Sequence, residues 1–210
     1  SVPIRMERAT LLRAMLVGVL VATQSFCLYS AVSLIPAALA LLVFQTCPML
    51  FVLLSWAMGK EKPRPSTFAA MVLALVGLVL ALNITPGRFA LSWQQFGAGA
   101  TWASGGACSF AFVYYMNSHG LKSLDGRLRT FAMTSVTAVL VLAGGVAASG
   151  LSMPADATGW AGIALLTFFY CVAMTSLFLA LPRLSAASTA ALNFEPIAAL
   201  VLAWLILDQT

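Results

Sequence analysis

The chain has 210 residues, 61% of them hydrophobic and only 8% charged. Globular domains run near 45–50% and about 25%, so a soluble fold is excluded. The net charge of +5 comes from 11 Lys and Arg scattered among short polar segments, which argues against nucleic acid as a partner.

The charges fall almost entirely between long apolar stretches. Ala14–Gly59 carries none and is long enough for two membrane spans of about 20 residues each. The first predicted helix is Thr10–Val32. The second is Pro36–Met58, with Pro36 in its first turn, where a proline loses no hydrogen bond. The Lys60–Pro65 segment is a loop. The third helix is predicted over Ser66–Asn83 and the fourth over Gln94–Met116. A loop follows at Asn117–Arg127, with His119 solvated in it. The fifth helix is predicted over Leu128–Ala148, the sixth over Gly159–Leu181 and the seventh over Leu184–Leu207. The runs are continuously apolar rather than alternating, so helices are expected and a β-barrel is not. The expected fold class is therefore an all-α integral membrane bundle with seven transmembrane helices.

The basic residues set the orientation. Arg5, Arg8 and Arg13, then Lys60, Lys62 and Arg64, then Lys122, Arg127 and Arg129, and finally Arg183 all fall on one face of this arrangement. Arg88, Asp156 and Asp208 fall on the other. The positive-inside rule makes the basic face cytoplasmic. The residue 1 end is then inside and the residue 210 end outside. Ser1 and the Asp208–Thr210 end both read as cuts through a longer protein.

The fourth helix is dense in small residues, among them Gly97, Gly99, Ala103, Gly106 and Ala107. Such a face lets helices approach closely, or it lines a passage; both readings stay open. Cys27, Cys47, Cys108 and Cys171 all fall inside predicted helices without metal-ligand spacing and read as buried small hydrophobes.

One acid breaks the pattern. Glu195 stands in the middle of Leu184–Leu207 and is followed by Pro196. An ionisable group at that depth is costly and by default marks a site. It would bind a cationic or amino group, take up a coupling proton, or serve as a structural acid bonded to a neighbouring helix. An internal repeat gives it a counterpart. Leu28, Ala31, Ala37 and Ala38 match Leu177, Ala180, Ala186 and Ala187, and Tyr29 matches Phe178. After a one-residue slip, Gln45, Pro48, Leu54 and Trp56 match Asn193, Pro196, Leu202 and Trp204. Cys47 then stands where Glu195 stands. The first helix pairs with the sixth and the second with the seventh. That odd period of five helices gives the two copies opposite orientation, the arrangement of inverted-repeat secondary transporters. The copies divide the chain at about residue 87, into 1–87 and 88–210.

The remaining candidates follow from the same chemistry. Pro48 and Pro196 each free a backbone carbonyl one turn earlier and bend the helix, for a substrate, a gate or a packing kink. Gln45 and Asn193 are polar groups that need a partner in lipid. They would pair with each other or line a site. Tyr29, Tyr170, Gln24, Trp102, Tyr114, Tyr115 and Thr175 are weaker candidates, because aromatics near helix ends are more often interfacial anchors. Trp56 and Trp204 read as such anchors. The sequence contains no Ser/His/Asp set, Walker loop or HExxH, so an enzyme is not expected, nor is a cofactor or metal. A seven-helix receptor and a membrane scaffold are the competing functions; a retinal protein would need a Lys in the last helix, and Leu184–Leu207 has none.

These motifs resemble the EamA-like transporters of the drug/metabolite transporter superfamily. The first copy reads Leu28-Tyr29-Ser30-Ala31, Ala37-Ala38, Pro48, Trp56 and Gly59-Lys60-Glu61. The second reads Leu177-Phe178-Leu179-Ala180, Ser185-Ala186-Ala187, Glu195-Pro196, Trp204 and Leu207-Asp208-Gln209. Both endings depart from the family's Gly-Glu close. The resemblance implies a ten-helix carrier, of which this chain holds the third to ninth helices. Its Glu-Pro form looks like that of amino-acid and metabolite exporters, which implies alternating access, either proton-coupled or facilitative. The expected partners are a lipid bilayer, a small-molecule substrate and, as an open alternative, a second copy. The expected location is a bacterial inner membrane.

Overall fold

The computed structural model describes residues 8–60, 62, 64–81, 93–121, 126–148, 154–180 and 183. All regular structure among them is helical. In order these are α1 (Arg8–Leu34), α2 (Ala37–Phe44), α3 (Cys47–Ala57), α4 (Pro65–Ala81), α5 (Trp93–Tyr115), a π-helical turn (Met116–Gly120), α6 (Gly126–Ala148) and α7 (Ala157–Ala180). Every helix expected before residue 181 has a counterpart. The seventh, Leu184–Leu207, lies outside the described residues. Among the described residues, four spans are long and apolar enough to cross a membrane: Leu11–Leu34, Ala37–Ala57, Gly126–Ala147 and Ala157–Ala180. The expectation of seven spans is thus met in part. The Pro65–Leu80 helix is shorter, and α5 is diluted by the glycines, serines and glutamines of its sequence.

The chain forms two compact units. One comprises Ser1–Ala22 and Met116–Arg183, the other Thr23–Tyr115 and Leu184–Thr210.

In the second unit α5 packs against α2 and α3, and α4 against the same two helices. Small residues of α5 meet the end of α1 and the link after it. A Cβ on Gly99 would stand 2.5 Å from Ile35 Cγ2, closer than packed atoms allow, whereas one on Gly106 would stand at an ordinary 3.4 Å from Cys27 Cβ and from the Gln24 carbonyl. Close approach is therefore what Gly99 provides. Ala31, Ile35, Leu39, Ala40 and Ala103 form the apolar cluster beside them. Without a hydrophobic driving force in lipid, such backbone proximity is the main source of helix association. Pro36 is found one position earlier than expected: it caps α2 in an extended conformation (φ −52°, ψ 137°), and its carbonyl accepts from Leu39 and Ala40 N–H at 2.9 and 3.1 Å. The end of α3 is closed by Gly59, whose φ of +68° lets Gly59 N–H bond the Trp56 carbonyl and Lys60 N–H bond that of Ser55, at 2.9 and 3.0 Å. This is the Schellman closure that satisfies the last carbonyls of a helix.

In the first unit α6 packs against α7, and the Arg8–Ala22 part of α1 meets α6 at Gly18. A Cβ there would come within 2.7 Å of Val136 Cβ, and the Thr137 hydroxyl donates across the contact to the Gly18 carbonyl at 3.0 Å. Two expectations are corrected. The segment after α5 is not a plain loop: it opens with the π-helical turn, which buries Asn117 and Ser118 and leaves His119 half-buried. Arg129, counted on the basic face and inside the fifth helix as expected, is only 2% exposed. Its guanidinium donates to the Leu121 carbonyl at 3.3 Å and to the Phe178 carbonyl. An arginine in the first turn of its own helix opposes that helix's dipole. Here the charged head lies at the C-terminal turn of α7 instead, where a cation is stabilised. The cysteine expectation holds for Cys27 and Cys47, which are buried, and fails for Cys108 and Cys171, which are exposed. Most of α7 is exposed, and an apolar helix needs no burial in protein where lipid can cover it.

Two substitutions test this packing by thermal unfolding in detergent. Gly99→Leu drives a side chain into Ile35 and lowers stability by about 1–3 kcal/mol. Arg129→Met removes both carbonyl contacts, each of the charge-assisted kind worth about 1.5–3 kcal/mol, and destabilises more than Arg129→Lys, whose compact ammonium keeps a single contact. Equal stability of either variant and the parent would contradict the assignment.

Candidate functional site

Proline has no N–H and clashes with the carbonyl four residues earlier. Pro48 therefore leaves the Phe44 carbonyl without its helical donor, and the second predicted helix divides into α2 and α3 at Gln45–Thr46. The chain crosses the gap through local bonds. Gln45 N–H donates to Leu41 at 2.9 Å and Leu50 N–H to Thr46 at 3.0 Å. Thr46 tightens the turn, donating from N–H to the Val43 carbonyl at 3.1 Å and from its hydroxyl to the same carbonyl at 2.8 Å. The Gln45 side chain is half-buried at this interruption, while Cys47 and Pro48 beside it are buried.

Aromatic side chains of α5 splint the break. Phe44, the last residue of α2, stacks on Phe110 with centroids 5.8 Å apart, and Phe51 of α3 meets Tyr114 edge-on at 5.8 Å. Phe110 and Tyr114 lie 4.8 Å apart on successive turns of α5. Both halves of the broken helix thus rest on one aromatic pair. Such ring contacts contribute about 0.5–1.5 kcal/mol each beyond their area. Further along the buried face of α3, Ser55 is fully buried, and its hydroxyl has no hydrogen-bond partner among the described residues.

The other sequence candidates are dispersed. Gln45 and Pro48 share the break. Tyr29, in the second unit, is 76% exposed. Gln24 and Tyr114 are buried and Tyr115 half-buried, while Trp102 meets Phe26 edge-on at 5.7 Å. Tyr170 and Thr175 lie in the first unit, where they line a groove of about 330 Å³ between α6 and α7. Glu195, Asn193 and Pro196 lie outside the described residues. Phe44, Phe51 and Phe110 were not singled out from the sequence. Their signal was present in the spacing: Phe110 and Tyr114 stand one turn apart, Phe44 and Phe51 about two turns apart, each pair on one helical face.

Two comparisons with known proteins show similarity. A solved crystal structure aligns with 97% of this chain and 79% of its own length at a TM-score of 0.71 and 19% identity, a likeness that shows the fold alone. No curated protein matches the chain. Residues 3–83, which contain the whole of α1 to α4, match the profile of the EamA-like transporter family. That match covers less than half of the chain, and over α1 to α4 the chain is similar to the EamA-like transporter family.

Proposed function

We propose that this chain is the larger part of a secondary transporter that carries a small, amino-acid-like metabolite across a bacterial inner membrane by alternating access. The observation that carries the reading is the interruption of the Ala37–Ala57 span at Gln45–Thr46, inside the family-matched segment. Gln45 and Thr46 keep right-handed helical backbone (φ −68°, ψ −1° and φ −72°, ψ −12°), so the interruption is a kink that frees one carbonyl, and a freed carbonyl at membrane depth needs a partner in protein, water or substrate. Discontinuous helices form substrate and ion sites in secondary transporters.

In this reading the chain holds seven of ten helices in two inverted repeats, 1–87 and 88–210, with the Arg5–Arg13 end cytoplasmic. Gln45 and the Phe44 carbonyl offer neutral polar contacts on one side of the site. Glu195, Asn193 and Pro196 offer the matching set from the second repeat. Glu195 supplies the titratable group, which holds an amino group of the solute or a proton that drives export. Tyr29 contributes a hydroxyl at the margin. The Ser55 hydroxyl, held buried without a partner, adds a donor along the same face of α3.

Flux measurements in proteoliposomes of the full-length protein test the reading. A panel of amino acids and small metabolites is presented with and without a pH gradient. The expected result is gradient-dependent movement of at least one solute, reduced at least about tenfold in Glu195→Gln, the scale of one lost charge-assisted contact. Full flux with unchanged pH dependence in that variant removes Glu195 from the mechanism. Failure of every solute to move, with folded protein in the vesicles, overturns transport itself and favours a receptor or scaffold. Pro48→Ala separates structure from function. It restores the missing N–H, so α2 and α3 fuse, and thermal stability holds or rises while the transport rate falls. Unchanged transport in that variant would count against the break as part of the site.

A further inference from the structure

The groove of the first unit has a different character from the broken helix. Its wall on α6 is formed by Arg127, Thr130, Phe131, Met133, Thr134 and Thr137, and α7 faces them with Tyr170, Met174 and Phe178 among others. The threonines make it look polar, but two of the three on α6 are spent on backbone. The Thr130 hydroxyl donates to the Gly126 carbonyl at 2.8 Å, and that of Thr137 is shared between the Met133 and Gly18 carbonyls at 2.9 and 3.0 Å. A hydroxyl so engaged has no hydrogen left to donate to a ligand. The wall is therefore dominated by methyl, thioether and ring surface.

Charge is confined to one end. Arg127 lines the groove there and is exposed, whereas Arg129 is turned inward onto the Leu121 and Phe178 carbonyls. The length is also informative. From Arg127 to Thr137 a helix rises roughly 15 Å, which is one half of a hydrocarbon core of about 30 Å. That length matches a single leaflet, and Arg127 stands in the first turn of the Gly126–Ala147 span. Its outer rim is open: Phe131 is 71% exposed and Tyr170 49%.

We propose that this groove is a binding site for an anionic phospholipid. One acyl chain lies along α6 and α7, and the headgroup phosphate pairs with Arg127. The argument for this occupant is charge complementarity at one end combined with an apolar channel of one-leaflet length. An arginine presents a forked donor set that suits phosphate. The inference is independent of the transport reading, because it uses neither the helix break nor Glu195.

Native mass spectrometry of the detergent-purified full-length protein, titrated with phosphatidylglycerol or phosphatidylcholine, tests it. The parent protein is expected to retain phosphatidylglycerol about fivefold better, the scale of one basic residue at a membrane surface. Arg127→Gln abolishes that preference and Arg127→Lys keeps it. Filling the groove with Thr134→Trp, or with Met174→Phe should the first variant unfold, lowers retention of both lipids. Equal retention of the two lipids by the parent, an unchanged preference in Arg127→Gln, or full retention in both filled-groove variants overturns the proposal. Competition by inorganic phosphate at equal concentration overturns the acyl-chain part, since it shows that the headgroup alone suffices. A lipid-free dimer joined through cysteines placed at Phe131 overturns it in favour of a second copy.

Discussion

Every backbone N–H and C=O within a bilayer must find its partner inside the protein, and Pro48 is the point where this chain is denied one. The consequences spread outward from that missing donor. The span over Ala37–Ala57 cannot remain one helix, so it divides at Gln45–Thr46. Thr46 then closes the half-buried turn with both its N–H and its hydroxyl on the Val43 carbonyl. The two halves would be free to hinge were they not both stacked on Phe110 and Tyr114. The same α5 meets the end of α1 and the Ile35 link through small residues, Gly99 and Ala103 among them. The broken helix, the aromatic splint and the small-residue face are therefore one construction rather than separate features.

The first unit solves the same problem with a charge. The last carbonyls of α7 lack helical donors, as at any helix end, and the Arg129 guanidinium supplies one to Phe178 while also bonding Leu121. A buried cation without partners would be costly. Here it is held by carbonyls that themselves need donors, so each offsets the desolvation of the other. That arrangement also leaves Arg127 as the groove-lining arginine, which gives the groove its polarity from end to end.

Much of this was legible in the sequence because membrane helices are specified by simple local rules. Apolar run length located α1 and α4 to α7 to within a few residues. The bend at Pro48 followed from the chemistry of proline alone. The π-helical turn at Met116–Gly120 did not, because Asn117, Ser118 and His119 read as loop residues unless their burial is known. The partners of Arg129 were not legible either. Its place beside Lys122 and Arg127 gave only the basic face, and nothing local reveals the carbonyl of Phe178, 49 residues away. Cys108 and Cys171 show the converse: an apolar helix tells that a residue is in the membrane, not whether it faces protein or lipid.

The sequence by itself determined the membrane class, the helix positions, the proline break and the family resemblance, since composition, period and backbone chemistry act within one segment. Tertiary structure decided which faces meet. It alone paired Phe44 and Phe51 with α5, turned Arg129 inward, engaged Thr130 and Thr137 with backbone carbonyls, and so made an apolar groove from residues that look polar in order. These outcomes depend on contacts between segments far apart in the chain, and such contacts are set by helix packing rather than by any local pattern.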